Sequence, residues 1–329
     1  SRGLGDVYKR QAVNDNKAER GQAFCRQWGG EYFPAYQDVC RYPAVDMVDV
    51  CTFPDFRIQP LKVAADAGKH VQVQKPIAIH VDTAQGMIDY CRRANVRLSV
   101  VSQNRYNDSI LFLKRSIAAG RLGSIFQADA YVKWFRSAEY YGRPIKGSWS
   151  TEGGGSLINQ AIHQVDMLLF LIGEVQQLFA YWHLGAVHKI ESDDVVSATM
   201  RYANGATGVL QASTAMYPGF SERIEIHGSK GSAILTGDKI TTWEAKDDEA
   251  ANAADPAPIS TSVASGASDP MAISLAPFER QFLAFGESIR SQTPFLNSGE
   301  EGMRALALVQ AIYTSCRENR VINLSPSRG

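Results

Sequence analysis

Apolar positions between residues 45 and 107 follow two alternating rhythms. Short runs, "VDMVDVCT" (Val45–Thr52), "KHVQVQKP" (Lys69–Pro76) and "RLSVVSQNRYN" (Arg97–Asn107), have the β-branched character of strands in a parallel sheet. Between them, "IQPLKVAADAG" (Ile58–Gly68) and "DTAQGMIDYCRRANV" (Asp82–Val96) carry apolar residues at helical spacing. Gly68 is the expected stop of the first helix, and Asp82 or Thr83 the expected cap of the second. Repeating strand–helix units of this size predict a parallel, doubly wound sheet. After Gly123 the pattern alternates, in "IFQADAYVKWF", "SATMRYA", "ATGVLQAST", "ERIEIHG" and "SAILTG", which predicts a mostly antiparallel sheet. Helices are expected over Ser156–Gly173, Ala276–Ser291 and Gly299–Asn319. The Ala/Ser/Pro/Asp-rich stretch Asp247–Pro270 has no period and reads as a long mobile surface loop.

A change of character near Gly120–Ser124 divides the chain into a parallel-sheet α/β domain over 12–122 and an α+β domain with an open, mostly antiparallel sheet over 123–329. The length of 329 residues and a hydrophobic content of 45% suit two cores. Lysine plus arginine equals aspartate plus glutamate, 34 each, so there is no electrostatic reason to expect nucleic acid or a membrane surface as partner. The five cysteines are scattered without a CxxC pair, which fits reduced thiols in the cytoplasm and no metal site. No run of about 18 apolar residues predicts a transmembrane helix.

Three clusters carry candidate chemistry. Lys75-Pro76, behind Gln74, ends a parallel strand, where ligands of such sheets bind, although a plain surface lysine would also fit this turn. In "EGGGSLINQAIHQVD", Asn159 and His163 are four apart on one helical face, with Asp166 three further on. An amide beside an imidazole can hold a hydroxyl and take its proton, and a buried histidine satisfied by a neighbour is the alternative. The glycines ahead of them allow close approach to a ligand, or simple flexibility. "KWFRSAEYYGRPIKGSW" (Lys133–Trp149) mixes aromatic rings with cations, suiting a sugar, a phosphorylated ligand or an interface. "SQNRYN" (Ser102–Asn107) adds polar groups at another strand end.

These residues resemble the Gfo/Idh/MocA family, the inositol dehydrogenase and glucose–fructose oxidoreductase group. "AGKHVQVQKP" matches the family's AGKHVxxEKP, "GGGSLINQAIHQVDML" its GG-x-x-x-D-x-x-x-H-x-x-D helix, and "VDVCT" and "AGRLG" also fit. "WFRSAEYY" and the asparagine of "INQAIH" are most similar to the branch of UDP-N-acetylglucosaminuronate 3-dehydrogenases. The resemblance implies hydride transfer between NAD, or possibly NADP, and a secondary alcohol of a sugar, sugar nucleotide or cyclitol. It implies Lys75, His163 and Asn159 as catalytic residues, and Asp15, Thr52, Lys75, Pro76 and Gln103 on the cofactor. Asn104, Arg105, Trp134, Arg136, Tyr140, Asn159 and His163 are the expected substrate contacts. A free lysine titrates near 10.4 and a free histidine near 6.5, so His163 is the better base, with Lys75 as orienter and proton relay. The resemblance implies that the second sheet supports a homodimer or homotetramer. An NAD-dependent glycosidase and a non-catalytic sugar or nucleotide sensor are the alternative readings. Gln74, Asn159, Phe53 and Arg57 depart from the family's usual Glu, Asp, Pro and His.

"AVNDNKAER" resembles the end of the family's second strand, with Asp15 as ribose acceptor favouring NAD. Gly3-Leu4-Gly5 lies too close to Asp15 to be the matching phosphate loop, since no strand and helix fit between. One reverse translation of "DVYKRQ" (Asp6–Gln11) reads as a transposon end used in sequencing libraries. Residues 1–11 are therefore expected to be non-native, the true glycine loop to be missing, NAD to be held weakly, and an export signal to be left open.

Overall fold

A computed structural model of the chain describes residues 11–143, 145–260, 262, 267 and 274–324. Near its start, β1 (Ala12–Val13) and β2 (Glu31–Tyr32) flank α1 (Ala18–Trp28) and pair in parallel. After α2 (Tyr36–Arg41) comes a second parallel sheet of β3 (Met47–Val50), β4 (His70–Val73) and β5 (Leu98–Val100), in that order. Its crossovers are α3 (Ile58–Asp66) and α4 (Val81–Arg93). Among the described residues the two sheets share no hydrogen-bonded strand pair.

All three predicted strands are present and shorter than their apolar runs, because the ladder stops where the chain turns toward the next helix. Gly68 ends α3 with a φ of 71°, a left-handed conformation that favours glycine. The cap of α4 differs from expectation. His80 occupies it without a side-chain cap bond, so Asp82 falls inside the first turn, where its charge suits the helix dipole. Past β5 the predicted strand gives way to a 3-10 turn over Gln103–Tyr106.

The larger unit opens with α5 (Asp108–Ala118) and β6 (Ile125–Lys133), followed by the short helices α6 (Ala138–Tyr141) and α7 (Trp149–Glu152). A π-helical turn, Leu157–Ala161, then runs into α8 (Ile162–Leu171). The strands β7 (Val175–Leu184), β8 (Asp193–Tyr202), β9 (Thr207–Ser213), β10 (Arg223–Gly228), β11 (Gly231–Thr236) and β12 (Lys239–Ala245) precede α9 (Glu249–Ala254). The chain closes with α10 (Ala276–Ser291), α11 (Gly299–Glu318) and β13 (Ile322–Asn323).

The eight-stranded sheet runs β12-β11-β10-β6-β9-β8-β7-β13 and is antiparallel except for the β6–β9 pair. On β8, Val196, Ala198, Met200 and Tyr202 are buried while Ser197, Thr199 and Arg201 are exposed, the alternation expected of a sheet covered on one face. Leu157, Ile158, Val165 and Leu168 are fully buried, each contributing about 1.5–3 kcal/mol. That burial fixes which way the helix carrying Asn159 and His163 faces.

By its packing the chain forms two compact units, 1–103 with 278–303, and 104–277 with 304–329. This division differs from a single cut near Gly120–Ser124 for two physical reasons. Arg105 ion-pairs with Asp166 of α8, which draws the turn ahead of α5 into the second unit. Gln281 of α10 donates to Gln72 Oε1 at 3.1 Å and accepts from Ser102 N at 3.0 Å, which returns α10 to the first. Asn297 adds bonds to Ser99 Oγ at 2.8 Å and Val100 O at 2.7 Å. No helix of the described residues is long and apolar enough to cross a membrane.

The stretch expected to be one aperiodic loop contains α9, while residues 261, 263–266 and 268–270 lie outside the described residues. Just ahead of α9, Asp248 takes a two-pronged ion pair from Arg121, whose guanidinium lies 5.1 Å from the Phe112 ring and 4.9 Å from that of Trp243. The Arg121 hydrogen bond holds the Asp248 carboxyl below its ordinary range. A carboxyl depressed by folding stabilises the fold above its unfolded pKa of about 3.9 and loses that contribution as pH falls through the folded value. Asp248→Asn is therefore expected to lower the melting temperature of the second unit by a few degrees at pH 7, and the gap to close below pH ~4 in thermal melts.

Candidate active site

The first unit offers its strand ends. Asp15 follows β1, and its carboxylate accepts from Lys17 N at 2.8 Å and Arg20 Nε at 2.6 Å. The Arg20 bond outweighs partial burial and holds the carboxyl below its usual value. Two further lone-pair directions of that carboxylate can take the two hydroxyls of a ribose. At the ends of β3 and β4, Thr52, Lys75 and Pro76 are organised by one side chain. Arg57, only 2% exposed, donates to the carbonyl oxygens of Thr52 (2.8 Å), Gln74 and Pro76. Burial pulls Arg57 down to about 10, with Cys51 and Asp49 acting in the opposite direction, so it stays a cation at neutral pH. Lys75 N donates to Gln74 Oε1 at 2.9 Å, leaving the half-buried Lys75 on a backbone fixed on both sides. Gln103, in the turn after β5, is 4% exposed, and its Oε1 has no partner among the described residues.

In the second unit Asn159 and His163, both half-buried, straddle the junction between the π-helical turn and α8. A π-turn inside an α-helix commonly accompanies a functional site. Asn159 Nδ2 donates to Gly154 O at 3.2 Å, tying the amide back to the glycine turn. The glycines allow close approach of protein, not only of ligand. A Cβ on Gly154 would lie 2.3 Å from the Tyr313 hydroxyl, and one on Gly155 would lie 1.9 Å from Asp193 O.

The aromatic and cationic connection folds onto this helix start. Tyr140 OH accepts from Gln160 Nε2 at 3.0 Å, and Arg143 and Lys146 lie 5.6 and 5.2 Å from the Tyr140 ring. Trp134 is 6% exposed and donates from Nε1 to Glu222 at 3.1 Å. Arg136 is 7% exposed, lies 4.8 Å from the Trp134 ring and donates to the carbonyls of Phe135 and Ala267. Burial lowers its pKa. Trp134 and Arg136 thus form the support of the loop, while Tyr140 lies nearer its surface. His188 Nε2 meets Arg136 O at 2.8 Å, and Asp194 accepts from the His188, Val187 and Ala186 backbones, so the loop is anchored from β8.

The family comparisons match these two halves in order. A model of the oxidoreductase family's NAD-binding Rossmann fold matches residues 3–102, and a model of the GFO/IDH/MocA C-terminal domain matches residues 110–234. The chain belongs to the Gfo/Idh/MocA family of NAD-binding oxidoreductases. The first match begins inside the stretch set aside above as non-native, and the Gly3-Leu4-Gly5 segment lies outside the described residues.

Among its relatives, the myo-inositol 2-dehydrogenase of Thermotoga maritima is 25% identical over 324 residues, covering 95% of this chain and 90% of the relative. The D-apiose dehydrogenase of Paraburkholderia graminis is 27% identical over 329 residues, covering 95% and 82%. The solved WlbA dehydrogenase of Bordetella pertussis, in complex with NADH and UDP-GlcNAcA, superposes with a TM-score of 0.83. It is 28% identical over 96% of this chain and 91% of that one.

The described residues fit a family cofactor. Asp15 has open acceptor positions at a strand end, and the buried, unpartnered Gln103 Oε1 awaits a donor. Asp15→Ser is expected to raise the KM for NAD by roughly 10–100-fold, the worth of a charged hydrogen bond. It also releases Arg20 to face a 2′-phosphate, so the NADP-to-NAD ratio of kcat/KM rises. Steady-state kinetics with both cofactors measure this.

Of the expected substrate contacts, Arg105 is engaged within the protein. It is 2% exposed and bound to Asp166 by Nε at 3.0 Å and by a second nitrogen at 2.6 Å, with its guanidinium 4.9 Å from the Phe170 ring. Asp166 accordingly anchors α8 to the turn ahead of α5. Asn104 lines a small cavity with Asn107, Gln164, Met167 and Glu222, into which a buried and unpartnered Gln164 Oε1 also contributes. Composition and spacing did not single out Gln160, Asp193, Glu222 or Tyr313. The adjacent acids Asp193-Asp194 at the head of an apolar strand were the one available signal, since two carboxylates there need buried donors. Among the described residues no group of three or more His, Cys, Asp or Glu could hold a metal ion.

Proposed function

We propose that the protein transfers hydride between NAD and a secondary alcohol of a sugar, sugar nucleotide or cyclitol. The observation that carries this reading is the family membership, with residues suited to the chemistry in each unit taken by itself. A lysine stands on a clamped strand end in the nucleotide-binding unit, and an amide and imidazole stand together at a π-helical turn of the second unit.

When bound, the nicotinamide supplies the hydride acceptor or donor. Asp15 would hold the adenosine ribose hydroxyls, and Thr52, Pro76 and Gln103 would line the strand ends that receive the rest of the cofactor. His163 takes the proton of the substrate hydroxyl, Asn159 orients that hydroxyl through its amide, and Lys75 orients the substrate and relays the proton. Tyr140 offers a ring face, and Arg143 beside it positive charge, to a sugar or its anionic substituent, while Lys146 is ion-paired with Glu152. The solved relative holding UDP-GlcNAcA supports a sugar-nucleotide substrate, and the inositol and apiose dehydrogenases support a free cyclitol or sugar.

We further infer NAD over NADP from Asp15. A homo-oligomer built on the large sheet is inferred from the exposed Phe126 and Tyr181 on its strands, and a cytoplasmic setting from the five free cysteines.

The test is to incubate the protein with NAD and, separately, myo-inositol, D-apiose or UDP-GlcNAcA, and to follow absorbance of the reduced nicotinamide. Turnover of one of them that is lost in His163→Gln supports the reading. Absence of turnover with every member of a wider panel of sugars, cyclitols and sugar nucleotides, in both directions and with both cofactors, would sink it.

A further inference from the structure

Asp193 is completely buried at the head of β8, and four donors converge on it. Gly155 N and the Tyr313 hydroxyl reach Oδ1 at 2.8 and 2.7 Å, while Leu157 N and Ser156 Oγ reach Oδ2, each at 2.8 Å. A carboxylate accepts at about four positions, and here every one faces a donor. The first turn of a helix leaves backbone N–H groups without intrahelical partners, and a neighbouring side chain in the sequence usually caps them. Ser156, at the cap position of this turn, makes no such bond. The capping oxygens come instead from a strand 36 to 38 residues later in the chain.

Tyr313 ties the arrangement to the last helix. Its hydroxyl donates to Asp193 and accepts from Ile158 N at 3.3 Å, inside the same turn. The Trp149 ring meets it edge-on at 5.0 Å and that of Trp182 lies 5.8 Å away, so the phenol has no room to swing. Gly154 and Gly155 leave the space that both contacts require.

We propose that Asp193 and Tyr313 are positioning residues that set the π-helical turn, and through it the directions in which Asn159 and His163 point. The role rests on the hydride-transfer reading above. Neither residue touches the reacting atoms. Asp193 fixes where the turn starts, Tyr313 fixes where Asp193 and Ile158 lie, and Asn159 and His163 follow one residue and five residues after Ile158.

Tyr313→Phe removes one hydroxyl and keeps the ring. Asp193→Asn keeps the shape and turns an amide NH2 against two donors. Each is expected to lower kcat roughly 10–100-fold, the cost of misplacing a reacting group by about 1 Å, with the KM for NAD unchanged. The substrate is whichever of myo-inositol, D-apiose and UDP-GlcNAcA the parent protein turns over. A second readout needs no turnover. The ring resonances of His163, assigned in NMR spectra by their loss in His163→Gln, are expected to shift in Tyr313→Phe and stay put in Tyr181→Phe, a control on an exposed ring of β7.

If both variants merely melt earlier, with His163 resonances and kcat as in the parent, the proposal is overturned. If no alcohol is turned over but the His163 resonances shift in Tyr313→Phe alone, positioning stands and the hydride-transfer reading falls.

Discussion

His163→Gln and Lys75→Met are each expected to lower kcat by about 10²–10⁴-fold, the usual worth of a positioned proton-transfer group. The two substitutions separate in binding. His163 lies in the second unit and is proposed to act on the substrate hydroxyl, so His163→Gln is expected to leave NAD affinity near that of the parent. Lys75 shares its strand end with Thr52 and Pro76 across the Arg57 clamp, so Lys75→Met also weakens NAD. The double variant is the sharper measurement. Groups that pass one proton act as a unit, and removing both then costs little more than removing the worse one. Full additivity in single-turnover kinetics would mean that the two do not serve the same proton, and would return Lys75 to the role of a surface lysine at a strand end.

Arg105→Leu is expected to act on stability. The Arg105–Asp166 pair is 2% and 6% exposed, and removing one partner leaves a buried charge uncompensated at about 3–5 kcal/mol. For a unit of this size that corresponds to a fall in melting temperature of roughly 6–20 °C. The double variant Arg105→Leu with Asp166→Leu recovers much of the loss, because an apolar pair of similar volume often replaces a buried ion pair without net cost. A substrate-binding arginine would behave in the opposite way, raising KM in a protein that melts as before. Thermal melts and KM, taken together on the same samples, decide between the two.

Those two predictions mark what local pattern reveals and what it hides. The β-branched runs at 47–50, 70–73 and 98–100 and the helical spacing between them were legible, because each element's burial is written in its own residues. Lys75 was legible as a candidate because Pro76 ends its strand, and Asn159 with His163 because four residues span about one helical turn. The Arg105–Asp166 pair was not legible, because a charged residue at a strand end looks the same whether it faces a ligand or a carboxylate 61 residues away. Asp193 and Tyr313 left little trace, since their partners lie 36 to 155 residues distant and no periodicity encodes such a meeting. Arg57 was noted only as a departure from a family pattern. Its work is done on backbone carbonyls, which every sequence contains and none advertises. The π-turn was hidden for the same reason, as on the proposal above it is set by backbone donors meeting Asp193 and Tyr313 and not by the side chains of LINQA.

The first unit is built from two stretches of chain, 1–103 and 278–303, and this orders its birth on the ribosome. When residue 103 has been synthesised, Gln281 and Asn297 do not yet exist, and Gln72, Ser99, Val100 and Ser102 lack the partners that later satisfy them. Nearly all of the second unit is translated before those partners emerge. The nucleotide-binding half is thus begun first and completed late, an exception to the tendency of N-terminal domains to finish first during synthesis. A gene cut after codon 103 would encode an unfinished half, and a portable nucleotide-binding module would have to carry residues 278–303 with it.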